Sequence, residues 1–85
     1  MRNKPFKTII KFPSEYASEV ERICKSISLK DESFKYKIVD SWYQPNTKVL
    51  IIYSKDKDKA FRRGEWMKHV LEKEYQLKTL YMVKK

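Results

Sequence analysis

Eighty-five residues make one domain, 1–85, because a chain this short cannot hide a second core and buries only about 60–65% of the surface its unfolded form exposes. With 41% apolar and 14% aromatic residues, one Gly and three Pro, the composition is globular and excludes collagen, a Gly/Ser linker and a disordered chain. Lys and Arg number 20 against 11 Asp and Glu, a formal net charge of +9, so polyanions are the first partners to consider.

In chain order, Lys7 to Phe12 (KTIIKF) reads as strand one, rich in β-branched residues and stopped by Pro13. Ser14 stands where an N-cap belongs, with Glu15 in the first turn. Tyr16, Val20, Ile23 and Ile27, joined by Ala17 and Cys24, then form the apolar stripe of a helix over 14–28. After a polar connection over 29–33, Phe34, Tyr36, Ile38 and Trp42 alternate with Lys35, Lys37, Val39 and Tyr43, which predicts a strand. Gln44-Pro45-Asn46-Thr47 carries turn residues, and the β-branched run Val49–Tyr53 completes a hairpin whose second arm is expected to be buried on both faces.

Ser54, Asp56 and Asp58 each offer a cap for a second helix, expected over 60–76, and residues 77–83 (LKTLYMV) close the chain as a fourth strand. The order strand, helix, strand, strand, helix, strand matches the split βαβ, or ferredoxin-like, arrangement: an α+β fold with a four-stranded antiparallel sheet in the order 4-1-3-2 and both helices on one face. The likeness is to a topology shared by many unrelated functions, and it licenses no activity by itself.

Catalysis has little to work with. His69 is the single histidine and Cys24 the single cysteine, and four soft ligands for zinc are not present. Cys24 falls on the apolar stripe of helix one, where a thiol acts as a small hydrophobe. The adaptation nucleases of CRISPR systems carry an Asp at the end of strand one, a place held here by Phe12 and Pro13. Acylphosphatases need a Gly-rich phosphate cradle that a chain with Gly64 alone cannot build. RNA recognition motifs stack bases on aromatics of strands one and three, and in VLIIY only Tyr53 is available for stacking. The expectation is therefore a non-enzyme, with no cofactor and no metal. A lone Cys excludes an internal disulfide and no apolar run has membrane or signal length, which points to the cytoplasm and away from membranes.

Binding is better supported. Projection of helix two at 100° per residue turns Ala60, Phe61, Gly64, Met67, Leu71 and Tyr75 inward and leaves Lys59, Arg62, Arg63, Trp66, His69, Val70 and Lys73 outside. Gly64 on the inward face marks a close approach of helix and sheet, a kink, or a helix that begins only after it. Trp66 among cations reads either as a contact residue or as packing on the sheet edge, covered by Lys stems. Residues 1–12 carry +4 and residues 55–85 carry +5, the middle of the chain being neutral. Strands one and four are neighbours in the expected sheet, so Lys7, Lys11, Lys78, Lys84 and Lys85 join one field with a basic N-terminal arm. The expected partner is nucleic acid, DNA or RNA, held through phosphates. The alternative is an acidic protein surface, engaged by an inhibitor or adaptor of the kind that phage and mobile elements encode. The outer face of the sheet, apolar in strands two and three, is a candidate homodimer interface, with an edge strand as the other route.

Overall fold

The computed structural model describes residues 4–85, so Arg2, the outermost charge of the basic arm, lies outside the described residues. The predicted order of elements is the one formed. Strand β1 (Phe6–Pro13) leads through a 3-10 turn (Ser14–Tyr16) into helix α1 (Ala17–Lys30), followed by β2 (Lys35–Asp40), β3 (Thr47–Ser54), helix α2 (Lys57–Tyr75) and β4 (Tyr81–Lys84). All neighbouring strands are antiparallel and lie in the order β2-β3-β1-β4, the expected 4-1-3-2 read from the other edge. This is a ferredoxin-like α+β fold.

Alternation along the strands decides which side is core. Thr8, Ile10 and Phe12 of β1 and Leu50, Ile52 and Ser54 of β3 are buried beneath the helices. They meet Val20 and Cys24 of α1 and Met67 and Leu71 of α2, with Phe34 at the entrance to β2. The expectation that β3 is buried on both faces does not hold. Val49, Ile51 and Tyr53 are only half-buried, because no second layer covers that side of the sheet.

Helix α2 lies close to the sheet because of two small residues. Thr8 donates from Oγ1 to the Ala60 carbonyl at 2.8 Å, a sheet-to-helix hydrogen bond in the core. One turn on, a Cβ added to Gly64 would stand 2.5 Å from the Tyr81 ring and 2.9 Å from the Thr8 methyl, so the glycine is a close approach and not a kink.

Several boundaries differ from the expected ones, each for a local reason. Ser14 caps nothing with its side chain. Its backbone N–H donates to the Asn46 carbonyl, and α1 begins only after the 3-10 turn. Pro13 ends β1 from within, paired with Thr47, where its missing N–H interrupts no ladder beyond it. β2 ends at Asp40; the Ser41 N–H donates to the Thr47 carbonyl at 3.0 Å, the last bond in the hairpin register, and Trp42 and Tyr43 lie beyond it in the loop. Of the three candidate caps, Asp56 is the one used, accepting from the Lys59 N–H at 2.8 Å, so α2 starts at Lys57. The helix ends at Tyr75 because Gln76 is left-handed, and residues 76–80 are a connection rather than the start of β4.

Candidate functional site

The outer face of α2 is less uniform than its sequence implies. Arg63 is not a free cation: its guanidinium donates to the Tyr53 carbonyl, Ser54 Oγ, Ser33 Oγ and Asp31 Oδ2 at 3.1–3.4 Å and lies 5.2 Å from the Phe34 ring centre. Its side chain is 12% exposed, and it ties the start of α2 to the end of α1. The expectation that it is a solvent-facing partner of Arg62 is therefore corrected. Arg62 is exposed, Lys59 is half-buried beside it, and Lys73 is exposed two turns beyond Trp66. His69 is exposed but pairs with Glu65 across one helical turn, Nε2 to Oε1 at 3.4 Å. Lys78 is exposed in the connection before β4.

Trp66 is 48% exposed and borders the groove between the two helices, away from the sheet edge. The groove floor is Ile23, Ile27 and Val70, and its rim carries Arg22, Lys30, Lys59 and Arg62. At one end Arg22 donates to the Tyr75 hydroxyl, and at the other the Arg63–Asp31 pair closes it.

Cations gather more simply on the sheet side that the helices leave uncovered. The strand register aligns Lys35, Tyr53, Lys7 and Lys84 across all four strands. The next row is Lys37, Ile51, Ile9 and Met82, and a third is Val39, Val49 and Lys11. Lys7 and Lys84 are thus direct cross-strand partners, as the expected neighbourhood of strands one and four requires. The open face holds five lysines, two of them beyond the expected set: Lys35 and Lys37 join Lys7, Lys11 and Lys84. It carries no carboxylate. Asp40, the one strand acid, sits on the helix-side register and pairs with Lys48 at 2.6 Å. Among the described residues no carboxylate lies within ion-pair distance of the five lysines.

The loop after β2 adds two aromatic rings to this face. Lys11 Nζ donates to the Tyr43 hydroxyl at 3.0 Å and lies 5.1 Å from its ring centre. That hydrogen bond, followed by the charge of Lys11 and then of Lys84, holds the Tyr43 hydroxyl below the usual tyrosine pKa. Tyr43 packs edge-to-face with Trp42 at 5.5 Å, and Trp42 is 91% exposed. The alternation over Phe34 to Tyr43 names both rings but reads them as strand residues, so it misses their place on a loop.

Positive charge also crowds the end of the sheet where β1 begins. Lys4 donates to the Ser33 carbonyl at 2.7 Å; burial, then the charges of Arg63, Lys59 and Lys35, lower its pKa. Cys24 is fully buried, and burial pushes its thiol up to about 12, so it is held neutral in the core. The exposed His69 stands on α2, outside that core. No helix among the described residues is long and apolar enough to cross a membrane. No family model, curated protein or solved structure matches the chain, so the meaning of the open face rests on its own residues.

Proposed function

We propose that this protein is a non-catalytic nucleic-acid-binding domain that holds phosphates on the open face of its sheet. The observation that carries this reading is five lysines at fixed strand positions with no acid among them, on the side of the sheet that the helices leave uncovered. Facing lysines such as Lys7 and Lys84 repel one another in the free protein, and a row of phosphates relieves that repulsion. The same charge opposes self-association through this face, since a twofold dimer would set lysine against lysine. A reducing cytoplasm, with no metal or cofactor, is the setting that fits the lone buried thiol.

The test is the salt dependence of binding to a mixed-sequence oligonucleotide. Neutralising four or five phosphates gives a slope of roughly −3 to −5 in log K against log salt, so going from 50 to 200 mM salt weakens binding by about a hundredfold or more. Replacing Lys7, Lys11, Lys35 and Lys84 together with Gln should abolish it without lowering the melting temperature. Binding that ignores both salt and these substitutions would overturn the reading.

The interhelical groove favours a second reading, a small inhibitor or adaptor that seats an acidic, apolar protein segment against Ile27 and Trp66 beneath Lys59 and Arg62. Arg62→Glu with Trp66→Ala would then abolish binding while the lysine-face variant binds normally.

A further inference from the structure

Resting on the nucleic-acid reading above, we infer that the site selects single-stranded nucleic acid, with Trp42 and Tyr43 taking unpaired bases while the lysines of the open face hold the adjoining phosphates. Trp42 packs on little but Tyr43, and its indole is 91% exposed, so nothing in the fold uses its apolar area. A lone exposed ring is ordinary on a protein surface. This one belongs to an edge-to-face pair, and the pair is anchored to the lysine face by the Lys11 bond to the Tyr43 hydroxyl. Phosphate-binding cations and free ring faces are therefore contiguous.

That combination fits one form of polynucleotide. A sugar–phosphate chain crossing the lysine rows would carry its bases toward the loop, and a base that is not already stacked can lie on an indole face. In a duplex both faces of each base are taken by its neighbours, so a duplex can use the lysines but not the rings. Phosphates and base faces are common to DNA and RNA, and both single strands should bind. Stacking is not ionic, so it should add affinity without adding to the salt slope.

The experiment measures affinity at fixed salt for end-labelled oligo-dT and oligo-U, and for a blunt duplex of equal length, by fluorescence anisotropy. Both single strands should bind roughly ten- to a hundredfold more tightly than the duplex, the range expected for one or two stacked bases. Trp42→Ala should remove most of that preference, leave duplex affinity, salt slope and melting temperature unchanged, and abolish the tryptophan quenching that single strands cause in the unaltered protein. Equal affinity for single strand and duplex, or a preference that survives Trp42→Ala, would overturn the inference and leave the phosphate-binding face intact. Failure of all three probes to bind would overturn that face as well.

Discussion

The two faces of the sheet are made from alternate residues of the same four strands, yet they obey different rules. On the helix side Ile10, Phe12, Leu50 and Ile52 are sealed against α1 and α2, and the buried hydroxyls of Thr8 and Ser54 are bonded to α2 through the Ala60 carbonyl and the Arg63 guanidinium. On the open side Ile9, Ile51, Val49 and Met82 are surrounded by Lys7, Lys11, Lys35, Lys37 and Lys84. A face that only had to stay in water would mix charge signs, as the outer face of α2 does through Glu65 and His69. The contrast separates what the chain needs in order to fold from what it leaves available for a partner.

The sharpest test uses neighbouring residues on opposite faces. Ile10→Ala should cost about 2–5 kcal/mol, a large part of the stability of so small a domain. Ile9→Ala, on the half-exposed side, should cost about 1 kcal/mol or less. Urea denaturation of the two variants measures the difference. Equal losses would mean that the open face is covered in solution, by a second copy for instance, and would break the comparison.

A second pair tests the same division on α2. Arg63→Gln removes the bonds to Tyr53, Ser54, Ser33 and Asp31 and should cost about 1–3 kcal/mol, whereas Arg62→Gln should lie within about 0.5 kcal/mol of the unaltered protein. Thermal melts of both suffice. Two neutral substitutions would return Arg63 to the surface.

Gly64→Ala is expected to destabilise by about 1 kcal/mol net. The new methyl meets the Tyr81 ring and the Thr8 methyl, an overpacking cost of about 1–3 kcal/mol, against a gain of about 1 kcal/mol in helix propensity. A stabilised variant would show that helix and sheet lie further apart than 2.5 Å contacts require.

Much of this division was legible in the sequence. Period 3.6 named both helices, period two named β2 and β-branched runs named β1 and β3, and the topology made Lys7 a neighbour of the last strand. Where the reading failed, contacts outside the local pattern decided matters. The hairpin closes with the Ser41 N–H bond to the Thr47 carbonyl, so the alternation through Trp42 and Tyr43 runs past the last paired residue into the loop. Arg63 and Arg62 are adjacent and look alike on a helical projection, but Arg63 alone has the carbonyl of Tyr53 and the carboxylate of Asp31 within reach. Phe61, assigned to the inward arc, is 43% exposed, because it packs edge-on with Tyr81 of the edge strand β4 rather than entering the core. The lysine face was partly legible: Lys7, Lys11 and Lys84 were named, while Lys35 and Lys37 sat in a neutral stretch of sequence and join them only through the β2–β3–β1 register.

The smallest expected effect has two readouts that move in opposite directions. Lys7 and Lys84 face each other across β1 and β4, and like charges at directly opposed positions are destabilising by a few tenths of a kcal/mol or more. Lys84→Gln removes that repulsion, so the free protein should melt slightly higher at low salt, and the gain should vanish as salt screens the pair. The same change removes one phosphate contact and should weaken single-strand binding while making its salt slope shallower by about 0.7. Lys37 provides the control. It lies opposite Ile51 with no lysine directly across from it, so Lys37→Gln should reduce binding in the same way with a smaller gain in stability. A Lys84→Gln protein that is less stable, or that binds as well as before, would show that this pair serves the fold and not a polyanion.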